Sequence, residues 1–143
     1  REAGKLPSRS TMVHQQIYRD HPEISCIIFA QAPNATAYAV AGRQMDTRTI
    51  PESYILLREL PLIPFGDQYL EGKALSEALS PQTPILLIQN DSLLVTGDSI
   101  LTTFDRLEVA EFSARSLTQA QAMGPLHPIG DLAIDELKRK FKL

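Results

Sequence analysis

A short apolar run that passes almost at once into a proline and a string of small residues constrains this chain most. Cys26-Ile27-Ile28-Phe29 is continuous and apolar, of a length that suits a strand buried on both faces. Ala30-Gln31-Ala32 follows, then Pro33, which cannot donate to a sheet ladder but fits the first turn of a helix. Asn34 to Val40 tolerates helix and stops before Gly42. Ser25 to Val40 thus predicts a central strand, a turn and a helix. Phe29 to Gln31 lies where the strand runs out, the place at which α/β proteins gather binding groups.

The 143 residues are enough for one domain with its own core. Hydrophobic residues make up 43% and charged residues 22%, the balance of an ordinary globular chain. With 14 basic against 17 acidic residues the net charge is -3, and there is no basic stripe and no Trp, which argues against nucleic acid. No apolar run reaches membrane-spanning length, and the polar opening Arg1 to Lys5 is not expected to act as a signal peptide. Cys26 is the one cysteine, so no intramolecular disulfide can form, and a reducing, cytoplasmic setting is expected.

In chain order, Arg1 to Pro7 reads as a lead-in. Ser8, Ser10 and Thr11 are candidate N-caps for a helix to about Asp20, with Met12, Val13, Ile17 and Tyr18 as its apolar stripe. Pro51 and Glu52 open a short helix through Leu57. Leu60 to Phe65, interrupted by Pro61 and Pro64, predicts an edge or irregular strand. Gly66-Asp67 turns, and Glu71 to Leu79 is a short helix with Leu70, Ala74, Leu75 and Ala78 on one face. Pro84 to Ile88 predicts a central strand, Asn90-Asp91-Ser92 a turn, and Leu93-Leu94-Val95 its antiparallel partner. Gly97-Asp98-Ser99, with Asp98 as N-cap, starts the longest helix, about Ile100 to Met123, whose core stripe is Ile100, Phe104, Leu107, Glu111, Ala114 and Leu117. Gly124-Pro125 stops it. Asp131 to Phe141 is an amphipathic helix with Leu132, Ile134, Leu137 and Phe141, its basic last turn complementing the helix dipole. Hairpin and crossover connections together predict an α/β/α layered domain with a mixed sheet.

Isolated chemical signals are weak. His14 and His21 lie two helical turns apart, roughly 10 Å, too far to share one small ion. Ser10, His14 and Asp20 are triad residue types, yet capping and helix-surface roles account for them. Cys26 inside a strand reads as a small buried hydrophobe. Arg9 is a cation beside the expected cleft.

The order of several short motifs resembles one family. Leu6-Pro7-Ser8, His14, Ile17-Tyr18 and His21-Pro22-Glu23-Ile24 are similar to the segment of class II aldolases that reads Pro-Ser-Ser-Glu, a helical His, Tyr, then Pro-Asp/Glu. Phe29 to Ala37 resembles the family's His-x-His-Pro-x-x-Ala-x-Ala, Ile63-Pro64-Phe65 its Val-Pro-Tyr, and Leu86 to Gly97 its Leu-Leu-x-x-Asn-His-Gly-x-x-x-x-Gly. Phe104 to Ala110, with Glu108, resembles its glutamate-bearing helix. The resemblance, to the class II aldolase/adducin superfamily, runs from Leu6 to Met123. It implies a three-layer α/β/α fold around a mixed, largely antiparallel sheet, an assembly of several copies, and zinc-dependent cleavage of sugar phosphates. The family's N-terminal segment, with its glycine-rich phosphate-binding turn, has no counterpart here.

The chain departs from the pattern where the family's chemistry sits. The two strand-end histidines fall at Phe29 and Gln31, the third at Asp91 after Asn90, and the acid/base glutamate at Ser10 beside Ser8 and Arg9. A zinc aldolase needs three protein ligands and an open coordination position. A benzene ring, a neutral amide and one carboxylate do not supply them, and a serine hydroxyl is no general base near neutral pH. The expectation is one domain over 1–143, with lead-in 1–9, family core 10–123 and C-terminal linker and helix 124–143. It would be non-catalytic, hold no cofactor, assemble with its own copies, and serve a structural or ligand-sensing role, with a small anionic sugar as ligand. The alternatives are an aldolase- or epimerase-like enzyme on a small sugar phosphate or sugar acid with altered or no metal, and a fragment of a longer aldolase-family protein.

Overall fold

The computed structural model describes residues 4–143. Its helices are α1 (Thr11–Asp20), α2 (Pro33–Val40), α3 (Pro51–Leu57), α4 (Lys73–Ala78), α5 (Ile100–Met123) and α6 (Asp131–Phe141). Its strands are β1 (Cys26–Ala30), β2 (Leu62–Ile63), β3 (Ile85–Ile88) and β4 (Leu93–Gly97). Short 3-10 turns at Thr47–Thr49 and Asp67–Tyr69 complete the order.

The sheet runs β1-β4-β3-β2. β3 and β4 form the predicted antiparallel hairpin, with Ile85 opposite Val95 and Leu87 opposite Leu93. β1 joins β4 antiparallel, Cys26 opposite Gly97 and Ala30 opposite Leu93. β2 lies parallel to β3, and its two residues are all the prolines leave of an edge strand. The sheet is mixed and largely antiparallel.

Helices cover both faces. Successive strand residues point to opposite sides, so Ile85, Leu87, Leu93 and Val95 pack against α2, α3 and α5. Leu86, Ile88 and Leu94 share the opposite core with Ile27 of β1, Val13 and Ile17 of α1, and Leu75 of α4. Burial of each large side chain contributes about 1.5–3 kcal/mol. α1 and α4 are also stitched by polar groups. Ser76 Oγ and Gln16 Nε2 both donate to Asp20 Oδ2 at 2.7 Å, bonds that hold that carboxyl below its ordinary range. Across the same seam, a ring nitrogen of His21 bonds the Ser76 carbonyl at 2.8 Å.

Several expectations are corrected. β1 is an edge strand among the described residues, not a central one, because β4 alone pairs with it; only Ile27 is buried, and Cys26 is half-buried. The fully buried strands are β3 and β4. In α1 only Val13 and Ile17 face the core, while Met12 and Tyr18 are exposed. The buried stripe of α5 is Thr103, Ala110, Ser113, Ala114 and Leu117. Ile100 and Phe104 are exposed, because the side of α5 turned inward at its start is the one that carries Thr103. Ser99, not Asp98, caps α5, accepting from Thr102 N–H at 3.1 Å. The fourth helix is shorter than expected, with Leu70 exposed before it, and in α6 Leu132 and Phe141 are exposed while Ile134 is buried.

Candidate functional site

Two chain reversals build the site. At the carboxyl end of β1 the chain turns through Gln31 and Ala32 into α2, with Pro33 at its first position. Across the β1–β4 ladder, the β3–β4 hairpin turns at Gln89 to Ser92, where Asn90 takes φ 57, a left-handed conformation Asn tolerates. The turn closes through Asp91 N–H on the Ile88 carbonyl at 3.1 Å and Ile88 N–H on the Ser92 carbonyl at 2.8 Å. Asn90 N–H donates to Ala39 of α2 at 3.3 Å, so the two reversals are joined.

Between them opens a cleft of about 450 Å³, lined by Ser8, Arg9, Ser10, Phe29, Ala30, Gln31, Gln68, Tyr69, Asp91 and Ser92. Six of the seven positions singled out from the sequence therefore meet in one place. Asn90 does not line the cleft; it shapes the turn that presents Asp91. Gln68 and Tyr69, from the 3-10 turn after β2, and Ser92 are the polar groups sequence reasoning missed. The Gly66-Asp67 turn signal marks that loop but not the place to which it folds.

Ser92, 4% exposed, donates its hydroxyl to Asp91 Oδ2 at 2.9 Å. The hydroxyls of Ser8 and Ser10 lie 2.9 Å apart at the start of α1, so Ser10 holds the N-cap position without a side-chain cap bond. Gln68 is buried; its Oε1 accepts from Gly66 N–H at 2.9 Å, and its Nε2 has no hydrogen-bond partner. The Phe29 ring stacks on His14, centroids 5.4 Å apart and planes 8° from parallel. Burial holds the His14 imidazole below its ordinary value of 6.5.

Behind the strand end, Glu111 of α5 clamps α2. Its carboxylate accepts from Asn34 N–H at 2.9 Å, Ala35 N–H at 3.0 Å and the Asn34 side-chain amide at 2.5 Å. The two N–H groups are backbone donors a helix start leaves unsatisfied, and negative charge is favoured there. Glu111, expected in the core stripe, is thus the glutamate that braces the site, and Glu108 is exposed.

A larger groove of about 700 Å³ lies elsewhere, between the Gln44–Arg48 segment and α6. Arg48, Arg58 and Lys138 there face Asp46, Glu59, Asp131 and Asp135. Its acids outnumber its cations four to three, and none of the positions singled out from the sequence lines it, so it is the weaker candidate despite its size. Among the described residues no three His, Cys, Asp or Glu side chains cluster to hold a metal ion, and no helix is long and apolar enough to cross a membrane.

The sequence pattern of the class II aldolase and adducin N-terminal domain matches residues 1–118. The chain belongs to this family. An L-fuculose 1-phosphate aldolase superposes over 100% of this chain and 68% of its own, at TM-score 0.83 and 19% identity. The L-fuculose 1-phosphate aldolase from Glaciozyma antarctica PI12 superposes over 97% of this chain and 54% of its own, at TM-score 0.80 and 21% identity. Among curated sequences, a 5-methylthioribulose-1-phosphate/5-deoxyribulose-1-phosphate aldolase of Escherichia coli O45:K1 (strain S88 / ExPEC) is 30% identical over 64 residues. That alignment spans 45% of this chain and 30% of the enzyme. The family and the three-layer fold are thereby settled; the structural likenesses, at such identities, concern the fold.

Proposed function

We propose that this class II aldolase-family chain is a non-catalytic, ligand-binding domain that works in an assembly of its own copies. The observation that carries the reading is the chemistry of the cleft. Where the family resemblance places three histidines and a glutamate, the cleft presents the Phe29 ring, the Gln31 amide, the Asp91 carboxylate and the Ser10 hydroxyl. The Phe29 ring is engaged with His14, and Asp91 already accepts from Ser92. One carboxylate and one amide do not fit a catalytic zinc ion, so no step through a metal is derived. What remains suits recognition of a small polar ligand: donors at Arg9, Ser8, Ser10 and Gln31 beside an acceptor at Asp91. An anionic sugar matches that set, its hydroxyls bonding Gln31 and Asp91 and its anion facing Arg9.

Elemental analysis together with an aldol-cleavage assay on L-fuculose 1-phosphate tests this reading. The expected result is far less than one zinc per chain and no cleavage. Stoichiometric zinc with turnover would refute it. The enzyme reading, a metal-free activity on a sugar acid or sugar phosphate, draws on the same cleft; it requires product formation that Asp91→Ala abolishes.

Support for self-association comes from α5, where Ile100, Leu101, Phe104 and Phe112 are all exposed. Ile100, Phe104 and Phe112 share one side of the helix, interrupted by the exposed Glu108, so apolar groups there lack a cover among the described residues.

A further inference from the structure

At the opposite end of the β1–β4 pair from the cleft, a small cavity of about 210 Å³ lies among Ile24, Pro84, Thr96 and Gly97. Two guanidinium groups, of Arg58 and Arg106, line it. Arg106 is anchored: its Nε donates to the Leu56 carbonyl at 3.1 Å and its Nη1 to the Thr96 carbonyl at 2.6 Å, which leaves Nη2 uncommitted. Arg58 donates through Nη1 to the Pro81 carbonyl, while its buried Nε has no partner. Glu23 and Asp98, both exposed, line the same cavity. Among the described residues neither forms an ion pair with either arginine.

Arg58 also carries a backbone signal. It follows α3 at φ 56 and ψ -110, a conformation glycine adopts freely and a side chain opposes. The Thr47 hydroxyl holds it there, donating to the Arg58 carbonyl at 2.5 Å. A chain that ends a helix at this geometry is best served by glycine. Arginine at this position gives up that ease and places a second positive charge beside a first. Burial, and then the charge of Arg58, push the Arg106 pKa down, with Asp98 opposing them in part, so the two cations are held together against both desolvation and repulsion. Such an arrangement is relieved by an anion that takes donors from both.

We infer that Arg58 and Arg106 form a second ligand site, distinct from the cleft, that binds a phosphate-sized oxyanion between two guanidinium groups. The cavity, at about 210 Å³, is large enough for a phosphate group. The Nη2 groups of Arg106 and Arg58 are the donors left without a protein partner, and Asp98 and Glu23 at the same cavity weaken the hold on an anion.

Thermal unfolding in sodium phosphate, against sodium chloride of equal ionic strength, tests the site. Binding to the folded chain raises the midpoint, here by roughly 3 °C at 20 mM phosphate. Arg58→Gly removes one guanidinium and suits the backbone conformation. It is expected to unfold no lower than wild type without phosphate, and to lose the phosphate-dependent rise. Arg9→Ala, in the cleft, keeps the rise. Absence of any rise in the wild type overturns the proposal, as does a rise that survives Arg58→Gly. A rise lost in Arg9→Ala and kept in Arg58→Gly assigns the phosphate to the cleft and overturns it too. None of these outcomes bears on zinc content or aldol cleavage, so failure of this site is distinguishable from failure of the non-catalytic reading of the cleft.

Discussion

Glu111 and His14 hold the site from behind without lining it. Glu111 satisfies three donors at the start of α2. Glu111→Ala leaves them without their acceptor, and stability in urea is expected to fall by about 1–3 kcal/mol. Glu111→Gln keeps an acceptor oxygen but loses the charge that favours a helix N-terminus, so its loss is expected to be the smaller. His14 gives the fold a pH dependence. Because burial lowers its folded-state pKa from 6.5, the unfolded chain binds a proton more readily than the folded one. The stability it contributes is present above pH 6.5 and is lost as the pH falls from there through the lower folded-state pKa. Melting temperatures between pH 7 and pH 5 are expected to decline, with a shallower decline in His14→Phe.

At the scale of elements, the α1–α4 seam depends on close approach. Gly72, the residue before α4, has φ +85, and a Cβ built on it would lie 2.7 Å from Val13 Cα. Gly72→Ala therefore meets both backbone strain and a backbone clash, and is expected to cost about 2 kcal/mol or more, read as a lower urea midpoint. α6 is held differently. Arg48 Nη2 bonds Asp131 Oδ1 at 2.5 Å and the Ile129 carbonyl at 3.1 Å, and Ile134 is the helix's buried residue. Arg48→Ala is expected to speed amide exchange over Asp131–Phe141 while β3 and β4 stay protected, since the sheet core does not rest on that contact.

For the whole molecule, two apolar cores share one sheet, and every residue of β3 is buried between them. Uncovered surface lies instead along α5. Phe104→Ser with Phe112→Ser is expected to shift sedimentation toward the single chain without lowering the melting temperature of that chain. An unchanged sedimentation coefficient would remove this side of α5 from any assembly.

Much of this architecture was legible in the sequence. The apolar runs at Cys26–Phe29, Ile85–Ile88 and Leu93–Val95, the Asn90-Asp91-Ser92 reversal and Pro33 mark strands, hairpin and helix start, because alternation, turn chemistry and proline geometry are local properties of the chain. The cleft positions Ser10, Phe29, Gln31 and Asp91 were legible for a further reason, the ordered motifs that carry the family resemblance. Pairing is not local. That β1 sits at an edge depends on β4, more than sixty positions away; that Glu111 braces α2 depends on a contact across 77 residues; and that Gln68 enters the cleft depends on where the β2 loop comes to rest. Local preference determined which elements form. Long-range burial of apolar faces decided their neighbours, and with them which polar groups share a site.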